Sequence, residues 1–294
     1  MRGSRDLKYK CLSESDIQNT EWTRIEPKSP FYLFAQRDTR SEIEYQLGFK
    51  VTDIFPINSV GITTARDDLT IRYSPEDVWE NVLDFIKSPP EEAREKFSLG
   101  KDVRDWKVHL AQEDIRLEGP DKKNIVPILY RPFDSRFTYY TGRSRGFLCM
   151  PRPEVMQHML LGKTIGFCTN RQANEEFRYI LCTRSIINDC TLSLATRERT
   201  YLFPLYLTSC QGKVKTKNGG KYIKQQPLEN SSWTLDTGGC LPNLNPDFVS
   251  LFASRLSLKF VSDGHGDLTT TFGPEDIFHY IYAVFHSPTY RQRY

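Results

Sequence analysis

The chain has 294 residues, 38% hydrophobic and 26% charged, a length that allows one large domain or two small ones. Its 18 Phe and 15 Tyr residues can build a packed core, which argues against a disordered chain. The sequence has no apolar run of membrane-spanning length, no signal-peptide core and no closely spaced cysteine pair, so membrane, secreted and fibrous classes are excluded and a cytoplasmic protein with reduced thiols is expected.

The first half of the chain predicts strands followed by helices. Residues 22–73 alternate short apolar and β-branched runs with Pro, Asn and Asp, a composition typical of strands and turns. A helical block is expected over about 75–118. Ser74 can cap its first helix and Ser88 can begin the second, while the amphipathic run RDWKVHLAQEDIRL predicts the third.

From Asn124 the period-2 pattern of strands returns and continues to about residue 209, with one short helix in PEVMQHMLL. The polar, lysine-rich residues 211–230 are typical of a loop. Two helices are expected within about 245–290: Asn245 can cap the first, and residues 274–286 are apolar nearly all round, which predicts burial. The predicted fold class is therefore α/β of the mixed α+β kind, a strand-rich domain with a helical insertion and C-terminal helices.

Several short motifs resemble catalytic signatures, but structural explanations are favoured for all of them. GRSRG at 142–146 matches the G-x-S-x-G nucleophile elbow, yet Pro151 and Pro153 prevent the helix that this elbow requires, and a hairpin turn fits better. GKT at 162–164 lacks the first glycine and the following helix of a phosphate loop.

NPDF at 245–248 and SPPE at 88–91 each differ by one residue from the tetrad that holds the target amine in amino-methyltransferases, but both also fit ordinary helix starts. Asp263, His265 and Asp267 alternate as metal ligands can, although the intervening glycines favour a solvated turn. We therefore predict no catalytic residue and no metal ligand.

The distribution of charge is more informative than the net charge of +3. Residues 131–171 carry seven basic and two acidic side chains interleaved with aromatic residues, and residues 211–230 carry five lysines and one glutamate. Such clusters indicate a basic face, because arginine makes bidentate contacts to phosphates and guanine edges while Asn and Gln can read adenine. The structural alternative is a solvated surface on which Arg131, Asp134 and Arg136 pair with one another.

Seven segments, in the same order along the chain, resemble the C-terminal specificity region of type ISP restriction–modification enzymes: EWTRIEPKSPFYLFAQRD, VTDIFPINSVGITTARD, RDWKV, IVPILYRPFDSRFTYYT, RPEVMQHML, YLFPLYL and GPEDIFHYIYAVFHSPTYRQRY. Members of that family join a nuclease, a helicase-like ATPase, an N6-adenine methyltransferase and a target recognition domain. The resemblance implies that this chain reads a short site in double-stranded DNA and presents it to the methyltransferase domain of the same parent polypeptide.

The resemblance also sets expectations for domains and cofactors. It implies a connector at 1–29 from the methyltransferase domain and a target recognition domain at 30–294. The catalytic motifs of the family are missing here, so no cofactor is expected in this fragment, and S-adenosylmethionine, ATP and magnesium are implied only for full-length members. Whether the chain takes part in catalysis stays open.

Chemistry and loop position, together with the family's YRPFD-x-R pattern at 130–136, suggest a set of DNA-binding residues. They are Arg131, Arg136, Arg143, Arg145, Asn170, Arg171, Gln172, Lys213 and Lys215. The alternative is an interaction or remnant module that docks on a methyltransferase through its apolar C-terminal helix and binds DNA only weakly.

Overall fold

The computed structural model describes residues 4–27, 32, 44–171, 180–194, 198–208 and 240–293. Gln172, Lys213 and Lys215 lie outside the described residues. The chain divides into two compact units, residues 1–48 and residues 49–294. In the first unit, helix α1 (Arg5–Glu14) begins at Ser4, whose hydroxyl accepts a hydrogen bond from the Leu7 amide, and none of the residues of α1 is buried.

The described residues of the second unit form two four-stranded sheets and two short strand pairs. The first sheet has the order β1–β8–β5–β6, with all neighbours antiparallel: β1 (Ser59–Val60), β8 (Thr200–Pro204), β5 (Gly166–Asn170) and β6 (Ile180–Thr183). The second sheet has the order β2–β4–β3–β7, in which only β3 and β7 run parallel: β2 (Ile71–Arg72), β4 (Asp134–Tyr139), β3 (Ile125–Arg131) and β7 (Ile186–Ile187). The short pairs are β9 (Tyr206–Thr208) with β10 (Cys240–Pro242), and β11 (Lys259–Phe260) with β12 (Thr271–Phe272).

The helices of the second unit precede, interrupt and follow these strands. They are α2 (Val51–Ile54), α3 (Asp67–Thr70), α4 (Pro75–Lys87), α5 (Pro90–Lys96), α6 (Val108–Glu118), α7 (Pro153–Met156), α8 (Pro246–Leu256), α9 (Pro274–His286) and α10 (Pro288–Arg293), with a 3-10 turn at Lys122–Asn124. Within the described residues, every helix is too short or too polar to cross a membrane. The mixed α+β prediction is confirmed.

The first sheet separates two hydrophobic cores. Cys168 and Leu202 pack into one core with the second sheet and helices α4–α6. Phe167 and Phe203, the adjacent residues on the same strands, pack into the other core with helices α8 and α9. Since successive side chains of a strand point to opposite faces, both faces of this sheet are covered.

Two buried amides tie distant segments together. Gln112 Nε2 donates to the carbonyls of Phe85 (2.6 Å) and Ser88 (2.9 Å), which satisfies groups at the C-terminal end of α4. Asn243 Nδ2 donates to the Ile57 and Pro204 carbonyls, and Asn243 Oδ1 accepts from the Ile57 amide. Gln112 and Asn243 therefore fix the helical block and the β8–β9 corner.

Local capping rules predicted helix ends well. The Ser74 hydroxyl accepts from the Asp77 amide at the start of α4, and Asn245 Oδ1 accepts from the Asp247 amide at the start of α8, so both predicted caps are confirmed. The predicted start at Ser88 is wrong, because the Ser88 amide and hydroxyl both bind the Asp84 carbonyl and Ser88 ends α4 instead.

Three other predictions are corrected. Val51–Ile54 form a helical turn rather than a strand, with Ile54 buried in the second core. Residues 191–194 form no strand, because the Thr191 hydroxyl bonds carbonyls on two neighbouring segments. Helix α9 buries Ile277, Phe278 and Ile281 but leaves Tyr280 62% exposed, so it is buried on one side only.

Candidate nucleic-acid interface

The loop that follows β4 presents two exposed arginines, Arg143 and Arg145, on a constrained backbone. Gly142 has a φ of +75° and Arg145 a φ of +60°, both in the left-handed region. A left-handed conformation is disfavoured for a residue with a side chain, and it persists only where the surroundings determine it. The Arg145 amide donates to the Cys149 carbonyl (2.9 Å), so the loop folds back on itself instead of forming the predicted hairpin turn between paired strands.

A buried carboxylate holds both ends of this loop. Asp114, on α6, is 5% exposed, and its Oδ2 accepts from the Thr141 hydroxyl and from the Phe147 amide, each at 2.8 Å. Burial raises the pKa of Asp114, in opposition to these hydrogen bonds and to the charge of Arg143. Asp114 therefore fixes the positions from which Arg143 and Arg145 project.

The segment before α6 supports the same loop and adds a basic residue to it. Arg145 Nη2 and Arg104 Nε both lie 3.3 Å from Asp105 Oδ1, and the Arg104 side chain is 88% exposed. Trp106 Nε1 donates to the Phe147 carbonyl (3.2 Å) beneath them. Sequence reasoning missed Arg104, because it lies in the helical block, far along the chain from the basic cluster.

The Arg136 guanidinium makes most of its contacts with other protein groups. It makes a bidentate pair with Asp134 at 2.8–3.0 Å, and its guanidinium lies 4.3 Å from the ring centres of both Tyr73 and Tyr130. The Asp134 pair raises the pKa of Arg136. The Arg136–Asp134 pair is one part of the alternative stated above, in which Arg131, Asp134 and Arg136 pair with one another.

Arg131 does not join the Asp134 pair. Its guanidinium lies 3.7 Å from the Tyr130 ring centre, donates to Asn188 Oδ1 (3.0 Å) and lies 3.8 Å from Asp67 Oδ2. The side chains of both Arg131 and Arg136 are only 21% exposed. The two arginines therefore brace the second sheet, and only a small part of each reaches solvent.

The end of β5 carries the next predicted group. Arg171 is exposed, and its guanidinium stacks 4.2 Å above the ring centre of Tyr201 on β8. Asn170 is 5% exposed; its Nδ2 lies 3.5 Å from Glu198 Oε2, and among the described residues its Oδ1 accepts no hydrogen bond. Arg171 is thus presented at the surface, while the Asn170 amide lies just beneath it.

Residues 61–67 bring these groups into one region. Thr63 exchanges both backbone hydrogen bonds with Met150, close behind the arginine loop, and its hydroxyl donates to Asp189 Oδ2 (2.6 Å). Ile62 bridges to Asn188, the acceptor of Arg131. The Asp189 carbonyl accepts from the Thr200 amide, and Thr200 pairs with Asn170. A continuous chain of contacts therefore links Arg145, Arg131 and the end of β5.

The other motif-like segments adopt structural roles. Asp267 Oδ1 accepts from the amides of Thr269, Thr270 and Thr271, as the predicted Asx-turn requires. His265 lies between Glu275 (2.7 Å) and Asp276 (2.9 Å) at the start of α9. No group of three His, Cys, Asp or Glu residues in the described part of the chain could hold a metal ion.

Comparison with known proteins identifies a matching family model and solved structures with a similar fold. The family model described as the type ISP C-terminal specificity domain matches residues 53–294. No curated relative matches the chain. The cryo-electron microscopy structure of a DrdV–DNA complex matches with a TM-score of 0.60 and 20% identity, over 98% of this chain and 26% of that one. A nuclease-deletion mutant of the type ISP restriction–modification enzyme LlaGI, in complex with a DNA substrate mimic, matches with a TM-score of 0.55 and 19% identity, over 99% of this chain and 24% of that one. The chain thus spans about a quarter of the length of these two proteins. The structural similarity shows that this chain shares the fold of the matched regions.

Proposed function

The chain belongs to the family of type ISP C-terminal specificity domains, and from this premise we propose that it is the DNA target recognition module of a type ISP restriction–modification enzyme. Its partners are then double-stranded DNA and the methyltransferase domain of its parent polypeptide, in the cytoplasm. Both structures matched above were solved with DNA or a DNA mimic, which supports the choice of partner. The chain itself would perform no chemistry.

The observation that carries this proposal is the anchored loop with Arg143 and Arg145. Arginines that serve only solubility do not need a buried carboxylate and left-handed backbone to fix them, whereas phosphate recognition benefits from guanidiniums held in place before binding. Arg104, beside Arg145, extends the same positive surface. We assign these three residues to phosphate contacts, which set position and register.

Base reading is assigned to the end of β5. The Arg171 guanidinium lies over the Tyr201 ring, and its edge can donate two parallel hydrogen bonds to guanine O6 and N7 in the major groove. Asn170 and Gln172 flank Arg171, and Lys213 and Lys215 are proposed as further phosphate contacts. Arg131 and Arg136 support the site from below, because protein acceptors and tyrosine rings occupy most of each guanidinium.

The test measures binding of this chain to a randomised duplex pool at several salt concentrations, with sequencing of the retained DNA. Wild type is expected to enrich a short asymmetric motif. Arg143→Ala and Arg145→Ala should each reduce the magnitude of the salt slope by about one without changing the motif, since each removes one phosphate contact. Arg171→Ala should cost about 1–3 kcal/mol and relax the preference at one position.

Lys87→Ala is the matched control, because it removes an exposed positive charge from the last turn of α4, outside the region described above. Equal weakening by this variant and by Arg143→Ala would reduce the interface to a general charge effect. Failure of wild type to retain any DNA would refute the proposal in favour of the docking module.

A further inference from the structure

The turn between β3 and β4 carries an aromatic residue that contributes little to the fold. Phe133 is 90% exposed and has a φ of +61°. Exposure of a phenylalanine forgoes the free energy of burial, and a left-handed backbone is unfavourable for a bulky side chain, so glycine would suit this position better on both counts. The demands of folding therefore do not explain Phe133.

The support beneath Phe133 is rigid. Asp134, the next residue, is held by the bidentate pair with Arg136, and the Arg131 and Arg136 guanidiniums stack on Tyr130 from the two strands of the hairpin. A register shift between Leu129 and Arg131 bends β3 just before the turn. The Phe133 side chain is thus presented to solvent from a fixed platform.

A chain of contacts connects the platform to the surface assigned above to base reading. Arg131 donates to Asn188, and the next residue, Asp189, accepts from Thr200, the partner of Asn170 at the end of β5. The exposed Phe133 ring, together with the exposed Arg171 guanidinium at the end of β5, favours a partner that combines flat apolar groups with negative charge. Duplex DNA has both, in its phosphates and in the faces and edges of its bases.

We propose that Phe133 is a DNA-contact residue that packs as an apolar wedge against bases in the groove beside the end of β5. This inference rests on the proposed function and adds to it a contact without charge. Such a contact contributes affinity and shape selectivity, but releases no counterions.

The decisive variant is Phe133→Gly, because a structural role and a DNA-contact role predict opposite results. Glycine relieves the left-handed strain and removes few protein contacts, so the midpoint of thermal unfolding should rise by about 2 °C. DNA affinity should nevertheless fall about tenfold, the loss typical of one aromatic contact to a base. The salt slope should stay unchanged, and Phe133→Trp should bind within about threefold of wild type.

Leu268→Gly is the matched control, since Leu268 is also left-handed (φ +57°) and 64% exposed, in the turn between β11 and β12. It should gain thermal stability without losing DNA affinity. DNA affinity of Phe133→Gly within twofold of wild type, while Arg171→Ala binds weakly on the same duplex, would overturn the wedge but leave the recognition function intact. Absence of DNA binding by wild type would instead refute both.

Discussion

Substitution of Gly146 by alanine should disrupt the arginine loop from beneath. A Cβ added at this position would overlap the carboxylate of Asp114 and would lie 2.9 Å from the Cβ of Asp114, closer than carbon atoms approach without repulsion. Asp114 cannot easily withdraw, because its Oδ2 holds Thr141 and the Phe147 amide. Phe147 itself is fully buried and packs edge-on against Tyr139 and Phe85.

Two effects set the size of the stability loss expected for Gly146→Ala. Overpacking of a well-packed site costs about 1–3 kcal/mol. If Asp114 moves away, the buried Phe147 amide loses its acceptor, which costs about another 1–3 kcal/mol. Gly146→Ala should therefore lower the free energy of unfolding by about 2–6 kcal/mol, which corresponds to a fall of about 3–10 °C in the unfolding midpoint for a chain of this size.

Urea and thermal unfolding followed by circular dichroism measure this loss, with Gly162→Ala as the control. Gly162 has a φ of +63° but no atom within 4 Å of an added Cβ, so its substitution should cost only about 1 kcal/mol of backbone strain. Equal losses for the two variants, or a Gly146→Ala protein as stable as wild type, would refute the argument that Asp114 fills the space beside Gly146.

Three further predictions concern stability. Gln112→Ala should lower the free energy of unfolding by about 1–3 kcal/mol in urea titrations, because two carbonyls at the end of α4 lose their buried donor. A loss below about 0.5 kcal/mol would contradict this and mean that water replaces the amide. Asn243→Ala removes three hydrogen bonds between separate segments and should cost about 2–4 kcal/mol, with Asn243→Asp no better because it lacks the donor. The hydrogen bond to Asp276, with the charges of the neighbouring carboxylates, raises the pKa of His265. Protonated His265 therefore stabilises the fold fully below the ordinary histidine pKa, and this stabilisation is lost as pH rises through the raised pKa. The difference in unfolding midpoint between wild type and His265→Gln should therefore be larger at pH 6 than at pH 9, and a difference independent of pH would contradict this.

Features encoded by neighbouring residues were predictable from the sequence. Ser74 and Asn245 each combine a capping side chain with a proline at the first helical position, so both helix starts follow from local chemistry alone. The strands β3 and β4 follow in the same way from alternation on either side of a tight turn. The helix start predicted at Ser88 was wrong because a serine can cap the start of one helix or end another. Only the length of α4 decides between the two roles.

The candidate interface depends on pairs that are distant in sequence. Asp114 meets the Phe147 amide 33 positions away, and Arg145 meets Asp105 40 positions away, so no local pattern shows that this loop is anchored. The charge count treated Arg131 and Arg145 alike. The structure separates them, because Arg131 is 21% exposed against a tyrosine ring and Arg145 is 62% exposed. Charge density along a chain indicates a basic region, while tertiary contacts decide which of its charges remain accessible.

The hydrogen bonds between Ile57 and Asn243 have a consequence for biosynthesis. These residues are 186 positions apart, and β1 likewise has no partner until β8 has been made. At about 5–20 residues per second, a ribosome needs about 10–40 s to translate the intervening chain. During that interval the nascent polypeptide exposes an unpaired strand edge and apolar side chains of the unfinished cores, both of which favour aggregation. Folding of this domain is therefore expected to be a late event in translation, and chaperones that shield nascent chains should raise its soluble yield.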